Sequence, residues 1–325
     1  MQSPLRLLAD IGGTNARFAL CEGRQIRDER QLRCADYASI DQAIAYYLNT
    51  VGEQHPVQEA ALAIAAPLLG DQISMTNHHW RFSVSALRQQ MHWRRLIILN
   101  DFTALAMAIR YLPEAELRQV GGTRHPSEMP IALLGAGTGL GVSGLVYGGQ
   151  HWLPLQGEGG HVSLAPGNER EIAVLKQLWR RFEHVSAERV LSGPGLLNLY
   201  TAICELDNVT ATLSEPAEIT QHAVNNSNAQ CVETLQMFCG LLGSVAGNLV
   251  LTLGATNAVY VGGGIVPRLG EYFAQSPFRQ RFEAKGRYVE YLRAVPVYVI
   301  NTEQPAFIGL AQSFTNPGSR IESVG

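Results

Sequence analysis

The sequence predicts an α/β chain built of two domains related by internal duplication. Three observations carry this. Two glycine-threonine turns, Gly12-Gly13-Thr14 and Gly137-Thr138-Gly139, are each flanked by apolar strand-like runs. Beyond each turn the pattern passes from hairpin-type strands to alternating strands and helices. A chain of 325 residues also exceeds one typical core and fits two domains of ordinary size.

The elements follow in order. Strands are expected at Leu5 to Ile11, Ala16 to Cys21, around Arg30 to Cys34, Ala60 to Ala65 and Arg95 to Leu99. Helices fit Ser39 to Val51, Ser83 to Met91 and Thr103 to Tyr111. A loop at Pro126 to Pro130 precedes a new strand from Ile131. Val142 to Tyr147, the Gly148-Gly149 turn and His151 to Leu155 read as a hairpin. Asn168-Glu169-Arg170-Glu171 has the form of a capping box and opens a helix ending near Glu183. Further helices follow Ser186, Gly195 and Glu218, and a long one starts at about Gln230. Ala258 to Val261 and Val295 to Ile300 are short strands, and Pro305 to Phe314 a terminal helix. Met237 to Leu253 is nearly uncharged but shorter than a membrane span, and Gly240, Gly243 and Gly247 recur at helical spacing. A buried core helix packed on another backbone fits that face.

Composition narrows the function. With 46% hydrophobic and 16% charged residues and a net charge of −3, the chain is a packed globular protein. Nothing in that balance predicts a nucleic-acid partner or an anionic membrane. Five cysteines, odd in number and without Cys-x-x-Cys spacing, read as reduced thiols. A strand beginning by Leu5, with no charged-then-apolar leader before it, makes the cytoplasm the expected location.

A hairpin tip of glycine and threonine presents N–H groups and a hydroxyl to a small concave space, the geometry that holds phosphate oxygens. Two such tips suggest a polyphosphate gripped by two related domains, without any Gly-Lys-Ser or Gly-Lys-Thr motif. Gly139-Leu140-Gly141-Val142-Ser143-Gly144 matches a dinucleotide fingerprint, but a hairpin follows it where a helix is required. Glu158-Gly159-Gly160-His161 has metal-site spacing, yet three glycines at 157, 159 and 160 argue for a loop. The adjacent His78-His79 lacks ligand spacing.

Asn100-Asp101 ends the apolar run Arg95 to Leu99, at the carboxyl edge where open α/β sheets bind ligands. Asp101 reads equally as a ligand and as a cap of the following helix. Glu188 is equally open, as a ligand or as a first-turn carboxylate of a helix capped by Ser186.

Taken together these segments resemble the bacterial glucokinases of the hexokinase–actin ATPase superfamily, nearly end to end. The resemblance rests on Ala9 to Arg17, Asn100 to Ala104, Gly135 to Gly141, Gly157 to His161, Ser186 to Gly195 and Gly262 to Arg268. Ala9 and Ala306 are slight departures from the family pattern. The resemblance implies two actin-like (ribonuclease H-like) domains with mixed sheets flanked by helices and a ligand cleft between them. These are a small domain of residues 1–111 plus 302–325 and a large one of 112–301. It implies ATP-dependent phosphorylation of glucose at O6, feeding glycolysis, in a homodimer. Sugar contacts carry over to Asn100, Asp101, Glu158, His161 and Glu188, with Asp101 as general base. ATP contacts carry over to Gly12, Gly13, Thr14, Asn15, Gly137, Thr138 and Gly139, and Gly262, Gly263 and Gly264 lie against the adenosine. Asp10 orders Mg²⁺ through water, and the domains close on sugar. The alternatives are a kinase for another hexose or amino sugar, or one using polyphosphate, and a sugar-sensing regulator. The absence of a cysteine-rich zinc loop counts against the ROK-type branch. The four residues before the first strand leave no helix-turn-helix, which counts against the regulator.

Overall fold

The computed structural model describes residues 4–52, 56–66, 68, 70–75, 78–123 and 127–316, with the backbone of 321–324. By its contacts the chain divides into two units. One is Met1–Pro113 with Tyr147–Gln156 and Thr302–Gly325, and the other is Glu114–Val146 with Gly157–Asn301.

The first unit opens with β1 (Leu5–Ile11), β2 (Asn15–Glu22) and β3 (Gln25–Arg33), paired antiparallel in sequence. Then come α1 (Ile40–Val51), β4 (Glu59–Ile64), a ribbon of β5 (Gln72–Ser74) and β6 (Arg81–Ser83), α2 (Val84–Gln90), β7 (Arg95–Asn100) and α3 (Asp101–Ala108). β4 pairs in parallel with both β1 and β7. The central strands are near-continuous apolar runs because both sheet faces are covered. α1 turns Ile40, Ala43, Ile44 and Tyr47 into the core, the spacing of one helical face, and ends at Gly52 with φ 62°.

In the second unit β8 (Leu117–Gln119) leads to β9 (Ile131–Ala136) and β10 (Leu140–Tyr147). The chain passes through β11 (Trp152–Gln156), which counts with the first unit, and returns to α4 (Glu169–Trp179), α5 (Gly193–Asp207), α6 (Pro216–Val224) and α7 (Ala229–Leu253). β12 (Ala258–Gly262), α8 (Glu271–Gln275), α9 (Phe278–Glu283), α10 (Val289–Ala294) and β13 (Val297–Ile300) complete it. β9 pairs antiparallel with β10 and parallel with β12, β12 parallel with β13, and β13 antiparallel with β8. α11 (Pro305–Ser313) and β14 (Ile321–Val324) return to the first unit, where β14 pairs antiparallel with β7.

The duplication is therefore explicit. Each unit has an antiparallel pair joined by a glycine turn (β1/β2, β9/β10), two parallel strands beside it (β4/β7, β12/β13) and an antiparallel outer strand (β14, β8). The α/β class with mixed sheets flanked by helices is the class expected from the sequence.

Among the described residues one helix, α7, is long and apolar enough to cross a membrane, and its apolar stretch is mostly buried in the second unit's own core. Its glycines explain the close packing. A Cβ on Gly243 would lie 2.1 Å from the Phe278 carbonyl oxygen, and one on Gly247 2.6 Å from that of Phe282, so α9 rests directly on the α7 backbone.

Several expectations are corrected. Ser186 opens a single 3-10 turn, Ala187–Arg189, and its side chain makes no cap bond. α4 stops at Trp179, because the chain turns to set Phe182 against the core, where Arg189 stacks on its ring at 4.5 Å. α3 starts at Asp101, two residues early, and its last turn tightens to a 3-10 turn at Ile109–Tyr111. The ribbon β5/β6, β8 and α8 to α10 are too short for periodicity to register. Pro126 of the expected loop lies outside the described residues, and Ser127 to Pro130 carry no helix or strand.

Candidate active site

In the first unit the candidate residues gather at the carboxyl edge of the parallel strands. Asp10 pairs in register with Ala63 of β4, and Asn100 with Ile64 on the other side. Asp10 and Asn100 thus flank β4, about 10 Å apart by strand spacing. Asn100 caps α3: its side-chain oxygen accepts from the N–H groups of Phe102 (2.9 Å) and Thr103 (3.3 Å). Asp101 is the first residue of the helix, with Oδ1 2.9 Å from the Phe102 N–H. A carboxylate there is favoured by the helix dipole.

The turn between β1 and β2 closes on itself, Gly12 N–H donating to Asn15 O at 2.9 Å. Cys34 holds it from outside. Its N–H donates to Thr14 O at 2.9 Å, and its thiol lies 3.4 Å from Gly12 O. Burial pushes the Cys34 thiol up, so it stays a protonated donor. All five cysteines are free and buried.

Asp10 is half-buried with Arg17 Nη1 3.2 Å from Oδ2. Burial raises its carboxyl above the usual range, and the charge and hydrogen bond of Arg17 pull it partly back. Among the described residues no three His, Cys, Asp or Glu side chains converge as a metal cage. One carboxylate fits an ion held mostly by phosphate oxygens and water, as Mg²⁺ commonly is.

In the second unit the glycine segments converge. Gly135 and Gly262 are register partners on β9 and β12, so the Gly137–Gly139 and Gly262–Gly264 stretches leave the same sheet edge side by side. A Cβ on Gly135 would sit 2.6 Å from Gly262 C, and a Cβ on Gly137 3.8 Å from Gly264 N. Gly263 has φ 82° and no space for a Cβ, which would lie 2.3 Å from Ala136 O. Among the described residues the N–H groups of Gly13, Thr14, Thr138 and Gly139 have no hydrogen-bond partner, as a phosphate cradle requires.

Glu158 precedes the 3-10 turn Gly159–His161, so that segment is a loop and not a helix. Gly160 lets it approach β10, since a Cβ would be 2.0 Å from Leu140 O. Glu188 Oε1 lies 3.9 Å from His161 Nδ1, and Glu188 Oε2 accepts the Leu140 N–H at 2.8 Å. The structure thus brings Glu188 and His161 together beside the second turn. The turn after Gly139 enters a strand, which removes the dinucleotide fingerprint. Sequence reasoning missed Cys34 and Arg17 as partners of the first turn and of Asp10. Arg17 closes the Ala9 to Arg17 segment, a signal that could have found it; Cys34 had none.

A family model described as Glucokinase matches residues 7–317. The chain belongs to the glucokinase family. A curated glucokinase of Aromatoleum aromaticum is 50% identical over 314 residues, covering 96% of this chain and 95% of that protein. The crystal structure of a glucokinase from an Antarctic psychrotroph is 36% identical, with a TM-score of 0.86 over 96% of this chain and 99% of that one. A ROK family glucokinase from Streptomyces griseus, solved with glucose and AMPPNP, shares the fold at 17% identity and a TM-score of 0.64, over 95% of this chain and 98% of that one. The family's reaction, phosphorylation of glucose, is the activity these relatives support for the chain.

Proposed function

We propose that the chain transfers the terminal phosphoryl group of ATP to O6 of glucose, with Asp101 as the general base. The observation that supports the base assignment is that Asn100 caps α3 through the N–H groups of both Phe102 and Thr103, so the cap does not depend on Asp101, whose Oδ1 only shares the Phe102 N–H. A sugar hydroxyl is a weak nucleophile, and a carboxylate at hydrogen-bond distance takes its proton as the O–P bond forms, worth about 10²–10⁴ in rate. Asn100, Glu158, His161 and Glu188 bond the other ring hydroxyls. A site of such polar groups discriminates strongly against a sugar lacking one of its partners.

The turns Gly12 to Asn15 and Gly137 to Gly139 hold phosphate oxygens through backbone N–H groups, and Gly262 to Gly264 lie beside the adenosine. The N–H groups of Gly13, Thr14, Thr138 and Gly139, without a hydrogen-bond partner among the described residues, support this. Asp10 would hold Mg²⁺, by way of water. The ion, when bound, neutralises charge on the phosphates. The family resemblance extends the reading to a cytoplasmic homodimer that delivers glucose 6-phosphate to glycolysis.

A coupled assay of ADP release over a panel of hexoses, with ATP and with polyphosphate, tests the reading. Glucose with ATP is expected to be the preferred pair. Preference for an amino sugar, or for polyphosphate, would replace it.

A further inference from the structure

We propose that Glu188 is also a positioning residue for the phosphate turn of the second unit, and so couples sugar binding to nucleotide binding. This rests on the functional reading above, which makes Glu188 a sugar ligand and Gly137–Gly139 a phosphate turn.

The two oxygens of the Glu188 carboxylate face different tasks. Oε2 accepts the N–H of Leu140, the residue that ends the turn, at 2.8 Å. Oε1 lies on the His161 side, 3.9 Å from Nδ1. The turn is fitted to this carboxylate, because a Cβ on Gly139 would stand 2.5 Å from Oε2. The other end of the turn is fastened by the same segment. Gly193 N–H donates to Gly137 O at 2.8 Å. Between the two anchors, Ser192 Oγ–H donates to the Glu188 carbonyl at 2.8 Å and accepts from Gly195 N–H at 3.0 Å, which ties Glu188 to the start of α5.

The segment Glu188 to Gly193 therefore grips the glycine turn at both ends, by one side chain and one backbone N–H. A long carboxylate side chain has rotamer freedom to lose. A sugar hydroxyl donating to Oε1 fixes that rotamer and holds Oε2 on Leu140, which orders the turn. Phosphate on the turn fixes the same carboxylate for the sugar. Linkage makes the effect equal in both directions.

The test separates the two duties of one side chain. Glu188→Gln keeps an oxygen that can accept the Leu140 N–H, whereas Glu188→Ala removes it. Both variants are expected to raise the KM for glucose. Only Glu188→Ala is expected to raise the KM for ATP, by about tenfold, the scale of ordinary coupling. Gly139→Ala displaces Oε2 and is expected to raise the KM for glucose severalfold, although residue 139 belongs to the phosphate turn. Titration of AMPPNP with and without saturating glucose gives the coupling directly. Glucose should tighten AMPPNP binding to the wild type and to Glu188→Gln, and not to Glu188→Ala. An unchanged ATP KM in folded Glu188→Ala, or equal rises in the alanine and glutamine variants, would overturn the proposal. Where Glu188→Ala does not fold, an unchanged glucose KM in Gly139→Ala overturns it instead. Absence of glucose-dependent turnover in the wild type would condemn the functional reading, a separate result.

Discussion

A Cβ on Gly309 would lie 1.8 Å from the carbonyl oxygen of Ala104, so α11 rests on the backbone of α3 with nothing between. Phe307, Leu310 and Phe314 of the terminal segment share a buried cluster with Ala104 and Met107. α3 begins with Asp101, so the depth of this packing sets where the proposed base stands. Gly309→Ala gains up to about 1 kcal/mol of helix propensity. The clash is with backbone and no side chain can yield, so overpacking of about 1–3 kcal/mol or more is expected to outweigh that gain. Thermal melting should show a lower Tm, and steady-state assay a lower kcat. An unaltered Tm together with an unaltered kcat would mean that the two helices can part freely.

Base and cap can be separated by paired variants. Asp101→Asn keeps size and leaves the Asn100 cap in place, so Tm should change little while kcat falls by two or more orders of magnitude. Asn100→Ala removes the acceptor for Phe102 and Thr103 N–H groups and should cost about 1 kcal/mol of stability. A reversed pattern, with the stability loss in Asp101→Asn and turnover intact, would return Asp101 to a capping role.

What the sequence disclosed, and what it withheld, follows from the range of the interactions. The β1 and β7 runs were legible because burial on both faces leaves almost unbroken apolar strings. The α7 glycine face was legible because its spacing is helical, although its partner α9 was not foreseen. The glycine turns announced themselves by composition. The choice between Asn100 and Asp101 as the cap of α3 was not legible, since both residue types cap well and only the backbone angles at Asn100 decide. The Glu188 bond to Leu140 joins residues 48 apart through one side-chain oxygen, and no local pattern encodes it.

Cys34 offers a third test, confined to the first turn. Its thiol reaches Gly12 O and its N–H reaches Thr14 O. Cys34→Ala keeps the backbone bond and loses the thiol donor, so the turn loosens at Gly12. The KM for ATP should rise severalfold while the KM for glucose stays near the wild-type value. Cys34→Ser restores a donor and should recover most of the loss. Equal ATP KM in all three proteins would show that the backbone bond alone holds the turn.

Asp10 sets function against stability, and pH exposes the conflict. Burial raises its carboxyl in the folded chain above the value near 3.9 of an unfolded one, with Arg17 offsetting part of the shift. The folded state therefore binds this proton more tightly than the unfolded state does. The corresponding stability is fully present below about pH 4 and is lost as pH rises through the folded pKa. At neutral pH the ionised Asp10 is therefore expected to cost the fold stability. Asp10→Asn removes the half-buried charge, and Arg17, with 39% of its side chain exposed, keeps its hydration. The variant should melt above the wild type at pH 7, and the gap should close as the pH is lowered toward about 4. Its turnover should collapse, because Asp10 is the residue proposed to order Mg²⁺. Mg²⁺ with AMPPNP should raise the Tm of the wild type by more than that of Asp10→Asn, since only binding to the folded state stabilises it. A variant that melts below the wild type at pH 7 would show that the Arg17 pair outweighs burial. Equal stabilisation by Mg²⁺ and AMPPNP would remove Asp10 from the metal site.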